Sequence, residues 1–260
     1  MAAARLCPMD AILLPGAIVP ARIAYEALLG AFDEDVSARA KELEVYRTSE
    51  VPPAYGLDTE ALGIDRIADE AGFERFHLVG YSAGGASSLA YALTRPDRLR
   101  SLTLAEPAWA GIEGRTLEEA AAADRAIDAT ALPPDRMLPA FMRAQLADGV
   151  EPPDPPPGPP PPWMASRADG TGAIAAAFER FPFPTPDMQA FGSPVLFVLG
   201  GLSNPAYYRL MADRLGTSFP DFRLEVFDGR HHFDPPHRAE PERYARLLED
   251  HWHRAETRSP

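Results

Sequence analysis

The stretch that most constrains this 260-residue chain is Phe76-His77-Leu78-Val79-Gly80-Tyr81-Ser82-Ala83-Gly84-Gly85. A short apolar run reads as a strand and leads directly into a Gly-x-Ser-x-Gly turn. The small residues from Ala86 to Leu93 then read as a helix stopped at Pro96. At this chain's Gly and Ser usage the bare pattern arises by accident in roughly one sequence in twenty, so the strand before it and the helix after it carry the argument. A serine on so tight a turn needs unusual dihedrals, and side chains two positions to either side would collide, which accounts for Gly80 and Gly84. The turn exposes the Ser82 hydroxyl at the C-terminal edge of a sheet. It also aims the Ala83 N–H, at the start of the helix, at the place where an oxyanion would form.

The rest of the chain keeps the same rhythm. Ala11–Leu14 reads as a strand closed by Pro15-Gly16, Ile23–Phe32 as a helix, Leu43–Tyr46 as a second strand, and Thr59–Ala71 as an amphipathic helix ended by Gly72. Leu99–Leu104 is the next strand and ends at Glu106-Pro107. After a break the alternation resumes with Val195–Leu199 and Leu224–Phe227 as strands, and with Tyr207–Leu215 and Pro241–Trp252 as helices. Short apolar strands alternating with helices indicate an α/β protein with a mostly parallel sheet covered on both faces. The break, residues 107–190, carries helical patterns at Leu117–Ile127, Met137–Leu146 and Ala173–Phe181 and is expected to be an insertion into a core formed by 1–106 and 191–260. Twelve of the 29 prolines fall between Pro152 and Pro186, with a tract at 152–162, so this insertion is helical and proline-rich.

Composition excludes several classes of function. A net charge of −13 argues against gripping phosphate backbones, so no nucleic-acid partner is expected. No window approaches the ~18 uninterrupted apolar residues of a membrane span, and Asp10 and Pro15 interrupt the N-terminal apolar stretch, which argues against reading it as a signal peptide. The single cysteine, Cys7, rules out an intramolecular disulfide and reads as a small hydrophobe near the first strand; a cytoplasmic location is the expectation. Lys41 is the only lysine, which reads as a codon-composition effect without mechanism.

With these motifs in place, the chain resembles the α/β-hydrolase fold superfamily, serine-hydrolase type, over nearly its whole length apart from the mid-chain insertion. The resemblance implies a Ser-acid-His arrangement in chain order, with Ser82 as nucleophile. The family's His-Gly-x turn corresponds to Pro15-Gly16-Ala17, so Ala17 joins Ala83 as an oxyanion-hole N–H; Pro15 departs from the usual histidine, but the donor is a backbone group. The histidine after the last strand corresponds to His232 in Asp228-Gly229-Arg230-His231-His232-Phe233, followed by Glu240-Pro241. The usual acid position, in Gly201-Leu202-Ser203-Asn204-Pro205, holds Asn204, which cannot stabilise an imidazolium by charge. A subset of the superfamily carries the acid one strand earlier, where this chain has Glu106. Glu106 is therefore the expected acid, with Asn204 the alternate position and Asp228 a weaker one. Ordinary structural readings also exist: Glu106 as a strand-end cap, and His231, His237, His251 and His253 as surface or loop histidines. A metal site among His231, Asp234 and His237 lacks a helix-face spacing, and no metal or cofactor is expected.

The insertion lies where the family places its lid. Tyr81, Trp109, Phe141 and Trp163 are candidate pocket residues, though such aromatics also simply pack lid helices onto a core. The expected function is a cofactor-independent serine hydrolase acting by acyl transfer on a small hydrophobic ester-like molecule, thioesters and lactones included. The alternatives are a ligand-binding or regulatory protein on the same fold, motivated by Asn204 and Pro15, and an interaction module organised by the proline tract. The sequence leaves the oligomeric state open.

Overall fold

Six short strands run parallel: β1 (Met9–Leu14), β2 (Val36–Ala40), β3 (Phe76–Tyr81), β4 (Leu99–Ala105), β5 (Val195–Gly200) and β6 (Phe222–Phe227), in the order β2-β1-β3-β4-β5-β6. The structure is a computed structural model that describes residues 8–48, 50–130, 132–154 and 157–257. Cys7 and part of the proline tract, Pro155 and Pro156, lie outside the described residues.

The two-residue period of a strand sends alternate side chains to opposite faces. Ile12, Leu14, Leu78, Leu102, Leu104, Phe197 and Leu199 pack on one face, beneath α3 (Leu57–Ala71), α4 (Ala83–Thr94) and α9 (Leu210–Ser218). Ala11, Leu13, Val79, Ala105, Leu196 and Val198 pack on the other, against α2 (Glu26–Leu29) and α11 (Pro241–Glu256). The central strands are covered on both faces, as a parallel sheet requires, and each fully buried Leu, Ile or Phe contributes about 1.5–3 kcal/mol. The fold is the α/β arrangement with a parallel sheet that the sequence indicates. Among the described residues no helix is long and apolar enough to cross a membrane.

Three readings are corrected in detail. The second strand is not Leu43–Tyr46: Glu44–Tyr46 is a 3-10 turn, and the edge strand is Val36–Ala40 instead. Leu43 and Val45 are apolar because they enter the core from that turn, whereas the edge strand, only half covered, alternates small and polar residues. The helix expected over Ile23–Phe32 is two short pieces, α1 (Ala21–Ala24) and α2, separated at Tyr25, whose hydroxyl donates to the Leu14 carbonyl at 2.7 Å.

The third correction concerns Lys41, which has a structural task. Its side chain is 2% exposed and its Nζ lies 3.1 Å from Glu44 Oε1 and 3.3 Å from Glu60 Oε2, while donating to the Glu42 carbonyl at 2.9 Å. Glu60, fully buried on α3, also accepts from the Tyr55 hydroxyl at 2.8 Å. Burial alone would raise the Glu44 carboxyl, but Lys41 and Arg66 outweigh it and hold the group below the ordinary range.

Between β4 and β5 the chain forms α5 (Leu117–Thr130), α6 (Pro134–Ala144), α7 (Arg167–Arg180) and α8 (Thr185–Ala190). Ile174, Ala177, Phe178, Phe183 and Met188 from this segment join the core cluster, so several of its aromatics serve packing. The described part of the proline tract has no regular structure until a 3-10 turn at Pro162–Ser166, since proline supplies no N–H and resists both helix and strand.

Candidate active site

Ser82, Glu106, Asn204 and His232 all stand just beyond the C-terminal ends of strands, the edge at which open parallel sheets place their ligand sites. Ser82 has φ 53° and ψ −117°, a conformation that side-chain-bearing residues rarely adopt, and it costs about 1–3 kcal/mol. It is held there from both sides. The Ser82 N–H donates to the Ala105 carbonyl at 3.1 Å, and the Ser82 carbonyl accepts from Ala108 at 2.8 Å. Gly84 is required by close approach: a Cβ there would stand 2.5 Å from the carbonyl oxygens of Leu14 and Pro15, while its own N–H donates to Pro15 at 2.9 Å. This contact seats the Pro15-Gly16-Ala17 turn against the start of α4. Among the described residues, the Ala17 and Ala83 N–H groups take no backbone acceptor.

His232 Nε2 lies 3.1 Å from Ser82 Oγ, and its Nδ1 lies 3.0 Å from Glu106 Oε2. The imidazole is 3% exposed and Glu106 is 4% exposed. The second oxygen of Glu106, Oε1, accepts the Gly200 N–H at 2.8 Å, so both carboxylate oxygens are committed. Glu106 also has positive φ, 44°, a second strained residue at the same edge. Gly200 permits the approach of the β6 loop, because a Cβ there would stand 2.6 Å from the Arg230 carbonyl oxygen.

Asn204 is occupied elsewhere. Its Nδ2 donates to the Ala144 carbonyl at 2.7 Å, its Oδ1 accepts from Ala206 at 3.0 Å, and its N–H donates to the Gln145 carbonyl at 2.9 Å. It ties the end of α6 to the turn after β5 and is not brought against His232. Asp228 is exposed. His231 accepts the Phe233 N–H at 3.2 Å, and the neighbouring Asp234 carboxylate is taken by Arg230 at 2.5 Å. His237 and His251 are not surface histidines. Both are 1% exposed, and burial lowers their pKa values to about 3 and about 4.

Tyr81 stands behind the imidazole, with ring centroids 5.1 Å apart and its hydroxyl donating to the His232 carbonyl. Trp109 and Trp163 are half-buried and each lies under an arginine: Arg115 over Trp109 at 4.0 Å, Arg167 over Trp163 at 5.5 Å. Arg167 also approaches the Ala17 carbonyl, at 3.5 Å. Phe141 is half-buried on α6, and its carbonyl accepts from Gln145 at 3.3 Å.

Sequence reasoning missed Tyr208. Its ring stacks on His232 with centroids 4.9 Å apart and planes 14° apart. Its hydroxyl donates to Gln145 Oε1 at 2.7 Å and stands 3.4 Å from His232 Nε2. Burial pushes the Tyr208 phenol well above its ordinary value, so it keeps its proton as a donor. The available signal was the tyrosine pair Tyr207-Tyr208, three and four residues after Asn204.

The geometry and the sequence agree with a match to a family. A sequence model of the alpha/beta hydrolase family covers residues 12–247, and the chain belongs to that family. It is similar to RutD of Caulobacter segnis, a protein named for carbamate hydrolysis, with 40% identity over 53 residues, 20% of each chain. It is also similar to lipase LipV of Mycobacterium tuberculosis, with 33% identity over 101 residues, 37% of this chain and 36% of LipV. These matched stretches span well under two thirds of either relative. A thermophilic esterase from Thermogutta terrifontis shares the fold at a TM-score of 0.67 and 16% identity, over 95% of this chain and 90% of that one.

Proposed function

We propose that the protein is a cofactor-independent serine hydrolase that transfers an acyl group from a small ester-like substrate to water. The reading rests on one observation, the continuous line Ser82 Oγ to His232 Nε2 at 3.1 Å and His232 Nδ1 to Glu106 Oε2 at 3.0 Å. The ester, lipase and carbamate relatives supply the class of bond, a carbonyl next to a heteroatom.

In this reading Ser82 Oγ attacks the carbonyl carbon as His232 Nε2 takes its proton. The tetrahedral oxyanion is held by the N–H groups of Ala17 and Ala83, with the start of α4 adding its favourable dipole. His232 returns the proton to the leaving alkoxide, and the acyl-enzyme is then cleaved by a water that His232 deprotonates in turn. Glu106 fixes the tautomer that keeps Nε2 free to accept and stabilises the imidazolium; Gly200 anchors its other oxygen. The segment 107–190 serves as the lid over this site, with Tyr81, Trp109, Phe141 and Trp163 near its floor and walls.

The test is pre-steady-state hydrolysis of p-nitrophenyl butyrate. A burst of p-nitrophenol stoichiometric with enzyme, absent in His232→Ala, is expected. Turnover that survives His232→Ala contradicts the reading.

A further inference from the structure

Arg115 is a buried cation that shares its nearest anion with a second arginine. Its side chain is 7% exposed, and its Nε and Nη2 are buried with no hydrogen-bond partner among the described residues. The nearest carboxylate, Glu119 at 1% exposure, belongs to Arg214, which engages it through Nε at 3.2 and 3.1 Å and through Nη2 at 2.8 Å. Arg115 Nε stands 3.9 Å from Glu119, beyond hydrogen-bond reach. Two guanidinium groups thus share one carboxylate, and Asp124, the other acid acting on Arg115, is exposed. Leaving a guanidinium so desolvated and half-paired is costly unless an anion completes it. Burial accordingly pulls Arg115 below the ordinary arginine value, although the group remains charged.

The location relates this charge to the site. Arg115 lies flat over Trp109, 4.0 Å from the ring centroid, which holds the planar fork in one orientation. Trp109 follows Ala108, whose N–H donates to the Ser82 carbonyl at 2.8 Å and whose carbonyl accepts the Tyr207 hydroxyl. Tyr207 is followed in turn by Tyr208, stacked on His232. Trp109, under the fork, thus adjoins Ala108, the residue whose backbone bonds both the Ser82 carbonyl and the Tyr207 hydroxyl.

We infer that Arg115, backed by Trp109, is the subsite for a carboxylate carried by the substrate, so that the preferred substrates are monoesters of short dicarboxylic acids or similar acidic esters. This rests on the acyl-transfer reading above and narrows its substrate class. The remote carboxylate does not react: water and ester give acid and alcohol, and the Nε and Nη2 N–H groups of Arg115 donate to its two oxygens as a paired fork.

The experiment compares kcat/KM for mono-p-nitrophenyl glutarate and p-nitrophenyl butyrate, which differ in the terminal carboxylate. Arg115→Gln is expected to lower the glutarate-to-butyrate ratio about tenfold, chiefly through KM of the glutarate ester. A fall of about threefold or more supports the subsite; a smaller change overturns it. If circular dichroism shows the Gln variant unfolded, the same ratio and threshold apply to Arg115→Lys, which keeps the charge beside Glu119 but not the planar fork. If the wild type hydrolyses neither ester, the acyl-transfer reading fails by itself and thermal unfolding with sodium glutarate decides the subsite. A rise in Tm over sodium chloride of equal ionic strength, lost in the variant, supports it; an equal response of the two proteins overturns it.

Discussion

Glu106 reaches His232 from the end of β4, Oε2 to Nδ1 at 3.0 Å, while Asn204, at the end of β5, bonds to the α6 terminus instead. The carboxylate contact to the imidazole comes from the earlier strand. Glu106→Gln keeps the shape but removes the charge, and kcat/KM on p-nitrophenyl butyrate is expected to fall about 10²–10⁴-fold. Asn204→Ala instead loses hydrogen bonds to Ala144 and Ala206 and is expected to cost about 1–2 kcal/mol of stability, read by urea unfolding. If Asn204→Ala is the variant that abolishes turnover, the assignment of Glu106 is wrong.

Gly84 sets the distance between the Ser82 turn and the Pro15-Gly16-Ala17 turn. Gly84→Ala would drive a methyl into the Leu14 and Pro15 carbonyls. It is expected to lower Tm and to reduce kcat by about 10²-fold or more, because the Ala17 N–H is displaced from the oxyanion position. A variant with wild-type kcat would show that Ala17 takes no part.

Tyr208 touches His232 by its ring and by its hydroxyl, and the two contacts separate by mutation. Tyr208→Phe leaves the stack and releases Gln145; kcat is expected to change by less than about tenfold. Tyr208→Ala removes the stack and is expected to be the more damaging. Equal effects from the two variants would contradict a positioning role for the ring.

Among the described residues Lys41 is the only cation paired with buried Glu60. Lys41→Met should therefore leave that carboxylate unpaired and destabilise the fold by about 3–5 kcal/mol in urea. Pairing the change with Glu60→Leu should recover part of the loss. A single variant as stable as wild type would mean that the pair contributes nothing.

Stability should also fall on mild acidification. His251, with its pKa lowered from 6.5 to about 4, and His237, lowered to about 3, stay neutral in the folded chain where the unfolded chain binds protons. Stability therefore decreases as pH falls from 6.5 to 4, by about 1.4 kcal/mol per pH unit for each ring at most. His251→Phe is expected to flatten the pH dependence of urea unfolding by about one such increment. An unchanged slope would show that His251 is not held neutral.

The elbow and the sheet were legible because they are written locally: an apolar strand, small residues two positions either side of Ser82, a helix of small residues behind. The candidate triad was legible through the ends of strands, which is where the chemistry of a parallel sheet gathers. What was not legible depends on partners far along the chain. Val36–Ala40 carries no apolar run because an edge strand is covered on one side only, so Leu43–Tyr46 took its place in the reading. Lys41 gains its meaning from Glu60, and Tyr208, though half of a visible tyrosine pair, gains its meaning from Gln145 and His232, partners that lie far along the chain. Trp109 was visible as a candidate pocket aromatic, but the half-paired guanidinium above it was not.

The central claim is that Ser82 is a nucleophile activated by His232. Incubation with a fluorophosphonate probe, followed by intact-mass analysis and peptide mapping, tests it directly. One equivalent of label on Ser82, abolished in Ser82→Ala and strongly slowed in His232→Ala, is the predicted result. An unlabelled wild-type protein, or label on a residue other than Ser82, would contradict it.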